Sequence, residues 1–445
     1  MRNTILTFFL FLCIGNSTLL AQNDLLQSGP MVGYSTMKEV SLWVQTKQPA
    51  LVYFMYWNVT TPKQQIMTDP ITTQKENAFI ANVIVDQLEP SQQYNYELYI
   101  NEEKVSLSYP LQFESQPIWL WRTDAPDFSF VIGSCNYVNE AKYDRPGKPY
   151  GSNHQIFGHI ANQKPNFMVW MGDNFYLREA DWHSSTGIIH RYTHTRSLPE
   201  MQSVLGSMHH YAIWDDHDFG PNNSDRSFPL KRTSEKAFKL FFPRNNYIFN
   251  EGITSHFQWA DCDFFLMDNR YWRTPNKRTD IEDPKIWGDE QVEWLLDALV
   301  NSYAPFKFIV TGGQFINPLE KSEGHANCAP KEKEYLLQKI KELKINGVIF
   351  LTGDVHHTEL SKLEVTDGYP FYDLTVSPLT AGAYGKDALE NPLHVEGTLI
   401  KENSFAELKI EGGKEERKLI VTTFNHEGKV QWTREIKANE LKFKK

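Results

Sequence analysis

A chain of 445 residues is too long for one simple core and implies two packed units. With 41% hydrophobic and 13% aromatic residues it can bury large cores, and no stretch has the composition of a disordered or low-complexity segment. Its formal net charge of −10 repels polyanions and argues against nucleic-acid binding; an anionic substrate would need local positive charge, for which bound cations are the natural source.

The first element is an address. Arg2, the apolar run Ile5–Ile14 and Leu19-Leu20-Ala21 give the layout of a secretory leader with cleavage after Ala21, so residues 1–21 are expected to be removed from a periplasmic or secreted protein. Leu12 is too bulky for the position ahead of a lipoprotein cysteine, which argues against lipidation at Cys13. No later run reaches the roughly 18 apolar residues of a membrane span, so no stable membrane insertion is expected. Cys135, Cys262 and Cys328 remain after the leader, an odd number for an exported chain. A Cys262–Cys328 pair is open on spacing alone.

Residues 25–123 read as a small all-β sandwich of the immunoglobulin or fibronectin kind. Val40–Thr46 and Ala50–Tyr56 are β-rich, Tyr94–Ile100 alternates, and turn residues separate them. No catalytic cluster falls in this span, so it is expected to be a separate unit that supplies no site residue. From residue 126 to 445 the pattern is α/β. Apolar runs at Phe128–Ile132, Phe167–Met171, Tyr211–Trp214, Phe264–Met267, Phe308–Val310 and Val348–Leu351 read as strands. Between them, Val292, Leu295, Leu296 and Leu299 share one helical face, as do Leu336, Leu337, Ile340 and Leu343. Phe405–Ile410, Leu419–Phe424 and Val430–Ile436 return to strands and are expected to complete a second sheet.

The chemistry lies in the loops at the ends of the apolar runs. The six strand ends deliver Gly133-Ser134-Cys135-Asn136, Gly172-Asp173-Asn174-Phe175-Tyr176, Asp215-Asp216-His217-Asp218, Asp268-Asn269-Arg270, Gly312-Gly313-Gln314 and Gly353-Asp354-Val355-His356-His357. Sites in α/β sheets form where such loops converge. Taken singly each piece has a plain reading: Asp173 as a helix cap, Cys135 as a small core residue, Asp215–Asp218 as a solvated acidic loop, His356 as a satisfied core histidine. Four groups of metal-ligand types at successive strand ends make the joint reading, a metal site, the better one. A helical turn would point Asp173 and Tyr176 to one side, and an extended segment would put Asp354 and His356 on one face. Asp216 and His217 would diverge, one to metal and one to substrate, with His357 turned away from the site or supporting a ligand from behind.

The set Gly-Ser-Cys, Gly-Asp-x-x-Tyr, Trp-Asp-Asp-His-Asp and Gly-Asp-Val-His resembles the PhoD-like alkaline phosphatases, a branch of the calcineurin-like metallophosphoesterase superfamily, over about residues 30–400. The resemblance implies an αββα catalytic sandwich behind the β-sandwich. It also implies an exported phosphoesterase that cleaves small organic phosphate mono- or diesters by attack of a metal-bound hydroxide. By resemblance, Cys135, Asp173, Tyr176 and His356 hold Fe3+, and Asp173 bridges to Ca2+ shared with Asp354; Zn2+ or Mn2+ is the fallback. Asp216 takes the place of the superfamily's metal-binding Asn, with Asn222 or Asn223 as the alternative ligand. The donors suit these ions: thiolate and phenolate favour Fe(III), while carboxylates favour calcium.

His217 is the expected general acid for the leaving alcohol, with Asp215, Asp216 and Asp218 favouring its protonated form. Asn136, Asn223 and Arg270 are the expected phosphate contacts. Two alternatives stand beside this reading: an activity like that of purple acid phosphatases, against which Cys135 argues, and a non-catalytic binding protein stabilised by metal. The loops around residues 138–152, 178–200, 221–230 and 315–330 carry no readable substrate code.

Overall fold

The computed structural model describes residues 24–319, 323–384 and 390–444; the leader expected over residues 1–21, Cys13 included, lies outside them. Two large sheets carry the catalytic unit. The first has nine strands in the order Val430–Lys437, Lys418–Asn425, Ser404–Glu411, Phe128–Gly133, Phe167–Met171, His209–Ile213, Leu26–Ser35, Val40–Thr46 and Ile80–Val85. The second runs Ser255–Trp259, Cys262–Leu266, Phe306–Val310, Val348–Thr352, Phe371–Thr375 and Glu359–Leu363. The central strands of both are buried along their length, Ser129 alone being half-buried, as their apolar runs require of parallel strands covered on two faces. The sheets meet through rings: Phe130 stacks on Phe167 at 5.0 Å and meets Phe264 and Phe308 edge-on at 5.1 and 5.4 Å.

Helices cover the outer faces, which makes the αββα architecture that the sequence implies. Asp289–Asn301 buries Val292, Leu295, Leu296 and Leu299 as the periodicity demands. Pro330–Glu342 buries Leu336 and Ile340 but ends before Leu343, which is left exposed. The helical face expected there is one turn too long.

The N-terminal strands form a sandwich with its own core, where Val32, Leu42 and Val83 pack with Phe54 and Leu98. The sandwich shares a sheet with the catalytic unit: Leu26–Ser35 pairs in parallel with His209–Ile213, Val32 opposite His209. The His209 ring clamps this joint, taking part in hydrogen bonds with the Gly33 carbonyl (2.9 Å) and the Glu114 amide (3.2 Å). Joining the sheets removes two open edges, each a row of unpaired backbone groups.

The C-terminal tail corrects a second expectation. Its strands extend the first sheet, with Ser404–Glu411 antiparallel to Phe128–Gly133. The Ser404 amide is tied to the Pro378 carbonyl at 2.9 Å, so the chain enters this strand beside the end of Phe371–Thr375 and lands against Phe128–Gly133. Cys262 and Cys328 do not pair; both are free thiols, as is Cys135. Among the described residues no helix is long and apolar enough to cross a membrane.

Candidate metal centre and active site

All six loops named in the sequence, and a seventh after Phe371–Thr375, open at one end of the two sheets. Their close approach needs glycine. At Gly172, with φ +90°, a Cβ would stand 2.7 Å from that of Asp215, and a Cβ at Gly312 would collide with the Asp215 carboxylate. Asp215 therefore sits in the seam between the two sheets. Asp218 fastens the seam from below by accepting the amides of Asp215 (2.8 Å) and Asn174 (2.9 Å).

Cys135, Asp173 and His356 bring one donor atom each within 4.8 Å of one another, all three buried. Cys135 Sγ lies 3.6 Å from Asp173 Oδ2 and accepts from Ser377 Oγ at 3.1 Å. Tyr176 joins them, its Oη 3.0 Å from His356 Nε2. The other ring nitrogen of His356 faces the Gly382 carbonyl at 2.6 Å, which fixes the tautomer with its proton on Nδ1 and leaves Nε2 free to ligate. Burial pushes the Cys135 thiol up to about 12. It drives the Asp173 carboxyl and Tyr176 phenol well above their ordinary ranges, and neighbouring carboxylates reinforce both shifts. Three potential anions and an imidazole packed without a compensating cation are the signature of a site built for one. Thiolate, phenolate, carboxylate and imidazole together make a donor set for a metal ion.

A second group, Asp173, Asp216 and His217, is equally compact. The His217 amide donates to Asp216 Oδ1 (2.9 Å) and Asp173 Oδ1 (3.3 Å). Its ring lies against Tyr176, centroids 4.3 Å apart. Asp216 also accepts the Asn223 amide at 2.6 Å. Burial opposes ionisation of Asp216, but His217 and Arg270 outweigh it and hold the carboxyl well below the usual range. Asp354 lies on the same side, its Oδ2 3.8 Å from where a Cβ on Gly313 would stand. Its carboxyl is raised by burial and by the charges of Asp215, Glu323 and Asp216. Asp173 belongs to both groups, as a bridging carboxylate would.

Several expectations change in detail. Asp173 and Tyr176 are not on a helical turn, nor are Asp354 and His356 on an extended segment. Cys135, Asp173, Asp354 and His356 adopt φ of 58°, 50°, 70° and 57°, and Asn223 62°, so the chain turns back on itself at each. Such backbone costs on the order of 1–3 kcal/mol per residue and persists at sites where the surroundings fix it. Asp216 and His217 begin a short helix, Asp216–Phe219, capped by Asp215. His217 is not held protonated by its carboxylate neighbours: burial outweighs Asp216 and Asp215 and lowers its pKa. His357 turns away to Glu359, as expected.

The three expected phosphate contacts separate. Asn136 is buried, its Nδ2 bound to the Asn174 carbonyl at 3.1 Å and its Oδ1 to Thr380 Oγ1 at 3.0 Å, so both ends brace loops instead of facing a ligand. Asn223 is exposed beside Asp216. Arg270 is fully buried, with its Nε on Asp215 Oδ1 and its Nη2 4.0 Å from Asp216 Oδ1. Sequence reasoning missed the seventh loop, which supplies Ser377, Thr380 and Gly382. The signal was present, because Phe371–Thr375 is one more β-rich run ending in Ser-Pro. It also missed that Asp215 aims Arg270, and it missed Tyr150 and Tyr384, which flank His356: Tyr150 Oη lies 3.2 Å from His356 Nδ1, and the Tyr384 ring stacks on the imidazole at 4.7 Å.

Residues 130–431 match the PhoD-like phosphatase family, and residues 23–118 match a domain of unknown function (DUF7800). A curated relative, alkaline phosphatase D of Bacillus subtilis (strain 168), is 22% identical over 341 residues, 65% of this chain. The match covers 55% of that protein, so the chain spans about half the length of its curated relative. In three dimensions the chain is similar to the solved structure of PhoD, with a TM-score of 0.74 and 16% identity over 93% of this chain and 92% of that one. It is also similar to a purple acid phosphatase from yellow lupin (Lupinus luteus) seeds, with a TM-score of 0.65 and 13% identity over 92% and 74%. At these identities the two structures speak for the fold alone.

Proposed function

Since the chain belongs to the PhoD-like phosphatase family, we propose that it is a metal-dependent phosphoesterase that hydrolyses small organic phosphate esters. The observation that carries this is the convergence of Cys135, Asp173, Tyr176 and His356 from three separate strand ends. A structural metal site needs no phenolate, and it needs no histidine and arginine beside it facing the same space. When bound, the paired cations supply Lewis acidity and an activated water at working pH.

The chain's own residues do the rest. Asp173 would serve both cation positions, Asp216 and Asp354 would complete the second, and Asn223 lies beside Asp216 as a phosphate contact. Arg270, locked at Nε by Asp215, brings Nη2 to 4.0 Å from Asp216 Oδ1 and orients the phosphoryl group there. His217, its ring 4.3 Å from that of Tyr176, lies beside Asp173 and Asp216 and in its protonated minority form delivers a proton to the departing oxygen. Fe3+ and Ca2+ fit the two donor sets best. An exported setting rests on the leader pattern of residues 1–21. The test is turnover of a chromogenic phosphate ester with and without chelator: the reading requires activity that chelation removes and added metal restores, and it fails if chelated protein keeps full turnover.

A further inference from the structure

Glu323 overlies the guanidinium that faces the site. Its Oε2 lies 3.5 Å from Arg270 Nη1 and 4.0 Å from Arg273 Nη2. Its Oε1 accepts from Asn276 Nδ2 at 3.2 Å, and its own carbonyl accepts from Arg273 Nη2 at 2.8 Å. Main chain and side chain are thus both fixed. The Arg270 side chain is 1% exposed and that of Glu323 is 23% exposed, so the carboxylate is the layer between the arginine and solvent. Arg270 already faces Asp215 and Asp216. Asp215, Asp216 and Glu323 thus set three carboxylates against the two guanidiniums of Arg270 and Arg273, one negative charge in excess before any phosphate arrives. The compact donor groups lie around Asp173, and Glu323 is in neither of them.

A phosphoryl group seeking Arg270 therefore meets a fixed negative charge. A diester carries one negative charge into that field. A monoester at alkaline pH carries two and is repelled about twice as strongly. Resting on the phosphoesterase reading, we infer that Glu323 is a specificity-determining residue that disfavours dianionic phosphate monoesters relative to monoanionic diesters. It acts by screening Arg270, not by touching the reacting atoms.

The test uses the full, metal-loaded protein and compares kcat/KM for p-nitrophenyl phosphate and bis-p-nitrophenyl phosphate in the parent, Glu323→Gln and Glu323→Asp. In Glu323→Gln the monoester should gain on the diester by about tenfold or more, through KM, and inorganic phosphate should inhibit more tightly by a similar factor. Glu323→Asp, which keeps the charge, should keep the parent's ratio. An unchanged ratio in Glu323→Gln overturns the inference, as does a parallel loss on both esters, which would make Glu323 a loop brace. Hydrolysis of neither ester by the parent overturns the phosphoesterase reading itself, and the inference with it.

Discussion

Tyr176 Oη and His356 Nε2 lie 3.0 Å apart although 180 residues separate them in the chain. His356 cannot rotate away, because its Nδ1 is held at the Gly382 carbonyl. Tyr176 is wedged between the rings of Tyr137 and His217. Two rigidly held donors aimed at one point, with Cys135 and Asp173 aimed at the same point, leave a proton or a cation as the choices for what sits between them. Burial keeps the phenol protonated in the absence of metal.

Tyr176→Phe tests this arrangement directly. Ferric ion bound to a phenolate gives a visible absorption band, and the metal-loaded protein should be coloured. The substitution should abolish the band and weaken iron retention. A colourless parent whose elemental analysis shows zinc or manganese would replace the ferric assignment with the fallback ions.

The pH dependence of metal binding has a definite sign. Burial raises the Cys135 thiol to about 12 and lifts Asp173 and Asp354 well above the ordinary carboxyl range. The metal-free folded protein therefore holds protons that a cation must displace, so affinity should climb with pH by about tenfold per unit for each proton released. Metal added to weakly buffered chelated protein should acidify the solution, read with an indicator dye. A pH-independent affinity would contradict the ligand set.

His217 separates general acid from ligand. As the proton donor, its replacement by alanine should cost about 10²–10⁴-fold on an alkyl phosphate and much less on a nitrophenyl ester, whose leaving group departs without a proton. Metal content should be unchanged. Because Asp173, Asp216 and His217 form a compact donor group, the opposite pattern, with equal loss on both esters and loss of metal, would make His217 a ligand.

Much of this site was legible because ligand-type residues recur after β-rich runs. Parallel sheets put such loops at one end whatever the details of packing. The local geometry was not legible, since Asp173, Asp354 and His356 sit in left-handed backbone that neither helical nor strand periodicity describes. Asn136 reads as a ligand-facing polar residue beside Cys135, yet its neighbours Asn174 and Thr380 come from other loops and take both its ends. Glu323 and Tyr384 lie in loops with no repeating pattern, so only the assembled fold brings them to the site. The shared sheet with the N-terminal sandwich was likewise hidden, because Val32 and His209 carry no sequence sign that they are neighbours.

Asp173 belongs to both compact donor groups, and replacing it tests the whole account. Burial and neighbouring carboxylates raise its carboxyl, so ionising it destabilises the folded metal-free protein above about pH 4, and the cost persists through alkaline pH. Asp173→Asn should therefore melt at a higher temperature than chelated parent near pH 8, an advantage that fades toward pH 4, while it loses bound metal and turnover together. The decisive measurement is bound metal and phosphate-ester turnover in parallel, on parent and Asp173→Asn. The account predicts two cations and activity in the parent, and at most one cation with turnover reduced by several orders of magnitude in the variant. Near-normal turnover in Asp173→Asn, with metal retained or absent, would contradict it.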